Sequence, residues 1–311
     1  MTHIEIIFLG TTASIPTKYR NHAAIYLKYQ SENEYSFLFD CGEGTQRQIF
    51  SSGMNFMRLD NIFITHWHAD HFAGLLGLLE TMSLEKRTKP LYVYGPEASK
   101  FIEVLSELGY SSKGFKLIPK DVPFDGREET ILTETDEYQI ISVPVSHGVP
   151  AVAYAFVEKD RIKIDKKKAA KYGMPKKGRP YKTLKEKGFV IYKGREIKLE
   201  DVSFVEKGKK VVYSGDTKPV KNLIELAKDA DVLIHDSTYF EQEFDERKHS
   251  TAEDAIDVFI KAGAKQLILT HISRRYQSEK ELYELLKTIV KKKNLDMKKI
   301  KIARDFMHLK I

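Results

Sequence analysis

His66-Trp-His-Ala-Asp-His71 is the segment on which the reading of this chain turns. It packs three histidines and an aspartate into six residues, directly after the β-branched run Asn61–Thr65. On a helix, residues two apart point to different sides, so His66 and His68 would not share an ion. In an extended loop they fall on one side and can. Asp70 and His71, turning into a following helix, then face a second ion. Nitrogen and oxygen donors of this kind suit Zn2+, with Mn2+ or Fe2+ as alternatives.

Working outward, other apolar runs end in the same way. His147 follows Ile140–Val145, Asp216 follows Lys210–Ser214 and His271 follows Gln266–Thr270. Four strand-like runs each deliver a His or Asp just past the C-terminal end, where open α/β sheets assemble their sites. Asp216 carries two carboxylate oxygens and is the natural bridge between ions. The expected sets are His66, His68, His147 and Asp216 for one ion, and Asp70, His71, Asp216 and His271 for the other. A lone histidine after a strand is more often structural; the dense first cluster reverses that expectation for His147 and His271.

Further strand-like runs are Ile4–Leu9, Ala24–Tyr29, Tyr35–Asp40, Leu91–Tyr94, Val152–Val157, Val232–Ile234 and Ile300–Ala303. Helical patterns cover Thr45–Ser51, Phe72–Met82, Ala98–Leu108, Val220–Lys228, Ala252–Ala262 and Glu279–Lys292. The helix from Phe72 is expected to bury Phe72, Leu75, Leu76, Leu79 and Met82. Ser250 and Glu253 fit a capping box, and Gly263 a helix stop. The alternation predicts an α/β protein with sheets covered by helices.

The 311 residues allow a sizeable core, and no run of about 18 apolar residues suggests a membrane span. One cysteine, Cys41, excludes an internal disulfide framework and a cysteine zinc site, and suits a reducing cytoplasm. The charge is uneven. Residues 158–210 hold 19 Lys/Arg against 8 Asp/Glu, a local +11 in a chain whose total is +7. This stretch is broken by Gly173, Pro175, Gly178 and Pro180 and lacks a sustained apolar period. It reads as an inserted arm, or as a solvated loop whose charge is incidental.

His66–His71 resembles the HxHxDH motif of the metallo-β-lactamase superfamily, and His147, Asp216 and His271 fall in that family's order. The resemblance covers nearly the whole chain. It implies a single domain over 1–311, an αββα sandwich of two mixed sheets flanked by helices (α+β class), with the site along one sheet edge.

Other segments resemble the tRNA 3′-processing endoribonucleases, the RNase Z family in its short form. They are Pro16-Thr-Lys-Tyr-Arg-Asn21, Asp40-Cys-Gly-Glu-Gly-Thr-Gln46, His249-Ser-Thr251, His271-Ile-Ser-Arg-Arg-Tyr276 and Ala303-Arg-Asp-Phe306. His235-Asp-Ser-Thr238 stands where the family has His-Glu-Ala-Thr, so Asp236 replaces the usual Glu. The resemblance implies cleavage of precursor tRNA with two Zn2+ per chain, and a homodimer. Neither a membrane nor DNA is an expected partner. Asp70 would orient the attacking water, and His249, oriented by Asp236, would be the general acid. Ser273 and Arg275 would bind phosphate, and Lys18 and Arg20 would guide the RNA 3′ end. Gly173–Pro180 resembles the family's arm motif, with its Gly-Pro pair split by Arg179. Lys176, Lys177 and Arg179 would there meet tRNA phosphates without reading bases.

Two other readings stand beside this one: a general phosphodiesterase of the same fold, and an RNA-binding protein with a relict metal site. RNase J-type enzymes are excluded by spacing, because only 54 residues separate Asp216 from His271. Flavodiiron oxidoreductases place Glu where His68 stands.

Overall fold

Along the strand His3–Gly10, Ile4, Ile6 and Phe8 enter one hydrophobic cluster while Ile7 and Leu9 enter another. Successive side chains of a strand point to opposite faces, so this sheet is covered on both. It has seven strands in the order His308–Lys310, His3–Gly10, Ala24–Gln30, Glu34–Phe39, Leu59–Phe63, Leu91–Gly95 and Leu117–Asp121. A second seven-stranded sheet runs Ile300–Ile302, Leu267–Thr270, Val232–Asp236, Lys210–Tyr213, Val152–Glu158, Tyr138–Pro144 and Thr130–Glu134. Both mix parallel and antiparallel pairs. The structure, a computed structural model, describes residues 2–108, 114–241 and 248–311.

The inner faces of the two sheets meet in a core that includes Phe8, Phe37, Phe63, Tyr154, Phe156 and Ile234. The helices Thr45–Ser52, Leu75–Leu84 and Ala98–Glu107 cover the outside of the first sheet. Lys221–Leu226, Ala252–Ala262 and Glu279–Lys292 cover the outside of the second. This is the αββα sandwich, of α+β class. Among the described residues no helix is long and apolar enough to cross a membrane.

Three local expectations shift. The helix expected over Phe72–Met82 is two pieces, Ala69–Phe72 and Leu75–Leu84, and Leu78 rather than Leu76 is fully buried. The break lies at Gly74, whose N–H donates to Cys41 O at 2.9 Å. A Cβ there would lie 2.2 Å from Gly42 O, so only glycine permits this approach. The capping box is one residue later than expected, between Thr251 and Asp254, while Gly263 is the left-handed C-cap as read.

The chain forms two compact units, Met1–Val157 with Lys210–Ile311, and Glu158–Lys209. The second unit, where the sequence shows no apolar period, is ordered into three short helices and two strand pairs. Ala169, Met174, Leu184, Val190, Ile197 and Val202 form its small core. Each short element supplies only one or two of these residues, too few to register as a period. Asp165 caps Lys166–Lys171 through the N–H groups of Lys167 and Lys168.

Candidate metal centre

The His66 segment leaves the strand Leu59–Phe63 as an extended loop before the helix Ala69–Phe72 begins. Asp40, at the end of the neighbouring strand, holds that loop: its Oδ1 accepts from Thr65 N–H at 2.7 Å. His147, Asp216 and His271 arrive from strand ends of the second sheet. His271 sits at φ 59°, a left-handed backbone that costs a non-glycine residue about 1–2 kcal/mol and marks a position fixed by its surroundings.

Two ligand groups result. His66 Nε2 lies 3.0 Å from His68 Nδ1, which lies 3.1 Å from His147 Nε2. His71 Nε2 lies 3.3 Å from His271 Nε2, and Asp70 Oδ2 lies 3.4 Å from the latter. Asp216 Oδ2 touches both groups, at 3.6 Å from His66 Nε2, 3.3 Å from His71 Nε2 and 3.4 Å from His271 Nε2.

The donor chemistry tests whether cations fit. His71 Nδ1 donates to Asp40 Oδ2 at 2.7 Å, and His147 Nδ1 to Lys248 O at 3.0 Å. His66 Nδ1 lies 3.1 Å from Thr65 Oγ1, whose proton goes to Asp40. His271 Nδ1 lies 2.9 Å from Thr238 Oγ1, whose proton goes to Asp236. Each of these four rings therefore carries its proton on Nδ1 and turns a lone pair inward. Ring nitrogens and carboxylate oxygens converge at 3.0–3.6 Å, and buried Asp216 Oδ1 has no hydrogen-bond partner among the described residues. The arrangement fits two divalent cations, one in each group, with Asp216 reaching both.

His249 stands beside the pair. Its Nδ1 is 3.1 Å from Asp236 Oδ2, so the shorter carboxylate spans the gap. Asp236 also falls in a possible ligand group with Asp216, His249 and His271. Yet its oxygens already take the N–H groups of Thr217, Ser250 and Thr238 and the Thr238 hydroxyl. A carboxylate so saturated orients its neighbours rather than binding an ion. Burial alone would lower the His249 pKa, but the bond and charge of Asp236 outweigh it and raise it.

Of the expected RNA contacts, Lys18 is exposed and lies over the Tyr19 ring at 5.4 Å. Arg20 is buried instead: Nη1 donates to Thr11 Oγ1 at 2.7 Å and to Ala303 O at 2.6 Å, bracing its loop. Ser273 is half-buried, and the exposed Arg275 lies over the Tyr239 ring at 5.1 Å. Lys176, Lys177 and Arg179 are exposed in the second unit. Sequence reading gives no role to Asp40, Thr65, Thr238 or the Lys248 carbonyl, which fix the histidine tautomers. Asp40 had a usable signal, since it too follows a strand.

Two sheets between helix layers, with His and Asp groups at the strand ends of both, define a hydrolase of the metallo-β-lactamase fold. Residues 200–272 match the Beta-lactamase superfamily domain, and residues 4–106 match the family of the Anti-Pycsar protein Apyc1. The chain is 40% identical to Ribonuclease Z of Archaeoglobus fulgidus, over 99% of this chain and 97% of that one. It is 42% identical to Ribonuclease Z of Methanococcus maripaludis, over 88% and 90%. The crystal structure of human tRNase Z, short form, superposes with a TM-score of 0.70 at 28% identity, covering 98% of each chain. The chain belongs to the Ribonuclease Z family and is an endoribonuclease.

Proposed function

We propose that this endoribonuclease is zinc-dependent and removes the 3′ trailer of precursor tRNA, leaving a 3′-hydroxyl on the tRNA. The observation that carries the reading is the convergence of His66, His71 and His271 on Asp216, with His147 and His68 3.1 Å apart beside His66, next to the His249–Asp236 pair. When bound, two Zn2+ ions lower the pKa of water toward ~7 and stabilise the charge of an in-line phosphodiester displacement.

The remaining steps belong to side chains. Asp70, whose Oδ2 takes the Ser14 N–H at 2.8 Å, is held in place to orient the attacking water. His249 keeps Nδ1 on Asp236 and delivers a proton from Nε2 to the departing ribose 3′-oxygen, a poor leaving group as the bare anion. Ser273 and Arg275 grip the phosphate, and Lys18 guides the RNA 3′ end. Arg20 acts by bracing the Lys18 loop. Residues 158–210 form the basic arm that binds the tRNA body. The enzyme works as a homodimer in the cytoplasm, the compartment that its single buried cysteine suits.

The test is incubation with 3′-extended precursor tRNA, with and without zinc, mapping both new ends. Zinc-dependent release of the trailer with a 3′-hydroxyl on the tRNA is the expected result. Hydrolysis of a small phosphodiester with intact precursor would instead leave a general phosphodiesterase. Binding without cleavage of either substrate would leave an RNA-binding protein.

A further inference from the structure

Away from the metal ligands, a cavity of about 570 Å³ lies between the helix Glu279–Lys292 and the edge strand Ile300–Ile302. Leu282, Leu286, Ile300 and Met307 are among its lining, together with Tyr283, a residue 49% exposed. Four cations line it, Arg20, Lys298, Lys301 and Arg304, against one carboxylate, Glu279. That carboxylate is taken by Arg304 Nε at 3.2 Å. Lys298 and Lys301 are exposed and make no ion pair among the described residues.

The cavity has a direction. Ile302 pairs with Leu269, two residues before His271, and Ala303 N–H donates to Leu269 O at 2.8 Å. Arg304 therefore lies at the metal-site edge of the sheet, next to the Arg20 loop that carries Lys18. The opposite wall starts at Glu279, just after Ser273 and Arg275, and continues one turn at a time through Tyr283 and Leu286. From Arg304 the cationic wall runs back along the short strand Ile300–Ile302 to Lys298 in the helical turn Met297–Lys299. The groove thus opens where a cut strand leaves the site and runs away from it.

We propose that this groove binds the single-stranded trailer of the RNA substrate, a reading that rests on the endoribonuclease function proposed above. A cationic wall that follows the backbone and an exposed aromatic that stacks on a base are the two parts of a sequence-tolerant single-strand site. Charge decides against a second copy of the chain. In a twofold pairing each groove would meet itself, placing the unpaired Lys298 and Lys301 of one copy against those of the other.

The experiment compares precursor tRNA carrying a one-nucleotide trailer with precursor carrying a trailer of roughly ten nucleotides. Wild-type enzyme should show the lower KM on the long trailer. Lys298→Glu combined with Lys301→Glu, both on the surface, should raise KM on the long trailer by about tenfold and leave the short-trailer substrate unchanged. The log–log salt slope for the long substrate should become shallower by about 1.4, roughly 0.7 for each single-strand phosphate left without its lysine. Tyr283→Ala should act in the same direction without altering the slope. A wild-type enzyme that cleaves both substrates with equal KM overturns the groove and leaves the function standing. Failure to cleave either substrate overturns the function itself. A double variant whose oligomeric state changes while trailer dependence persists assigns the groove to a second copy.

Discussion

Asp40 Oδ2 accepts a hydrogen bond from His71 Nδ1 at 2.7 Å, with both side chains fully buried. The bond fixes the proton of His71 on Nδ1 and leaves Nε2 facing His271 and Asp216. The same carboxylate takes the Thr65 N–H and hydroxyl, and with them the His66 side, while the Tyr213 hydroxyl ties it to the second sheet. Asp40→Asn removes acceptor capacity while keeping the size. Metal affinity is expected to fall by about 10–100-fold, read by competition with a chelator. Unchanged affinity would show that His71 finds its tautomer without Asp40.

Asp216 reaches ligands of both groups through a single oxygen. Asp216→Ala should therefore empty both positions rather than one. Elemental analysis should fall from about two Zn2+ per chain to a small fraction of that. Loss of one equivalent alone would mean that the other ion does not use this carboxylate.

His249 is tied to Asp236 and lies outside the proposed ligand sets, so its ring can be removed with the metals in place. His249→Ala should keep its zinc and cleave precursor tRNA roughly 10²–10⁴-fold more slowly. A phosphodiester with an activated leaving group needs no proton and should suffer much less. Equal losses on both substrates would remove His249 from the role of acid.

Gly74 is a test of packing beneath the site. Its Cβ would have to share space with Gly42 O, part of the turn that follows Asp40. Gly74→Ala should cost about 1–3 kcal/mol, visible as a lower urea midpoint. An unmoved midpoint would mean that the helix Leu75–Leu84 can slide without loss.

What the sequence exposes here follows from how local each signal is. Six of the seven proposed ligands are announced by the dense His66–His71 cluster or by a histidine just past a strand, and the covering of sheets by helices by alternating apolar runs, while the αββα layer order comes from the resemblance. Asp216 is announced by its place after a strand and by its two carboxylate oxygens. Pairings between distant segments leave no such trace. The bond from Asp40 to His71 spans 31 positions and that from Tyr213 to Asp40 spans 173. The positive φ of His271 arises from packing, with no glycine to signal it. Arg20 looks like a surface cation in a basic loop, and only its acceptors, Thr11 and Ala303, reveal a brace. The basic segment hid its helices because its core is six residues spread over the whole unit.

That segment also allows the most separable prediction. Val157 and Lys210, which bracket Glu158–Lys209, are directly paired across two antiparallel strands. A two-residue Asn-Gly turn is the connection such a pair favours, so the unit can be excised without breaking a ladder. If the arm holds the tRNA body, its binding energy does not change during the chemical step and should appear mainly in KM or Kd. The shortened enzyme should keep its zinc and hydrolyse a small phosphodiester at close to the wild-type rate. Its affinity for precursor tRNA should fall sharply, with a salt slope shallower by about 0.7–0.9 for each phosphate that the arm no longer neutralises. Lys176→Ala and Lys177→Ala, both exposed, should give small graded steps in the same direction. Deletion that leaves tRNA affinity and salt slope unchanged would make the arm a solvated ornament of the fold, its charge incidental to RNA.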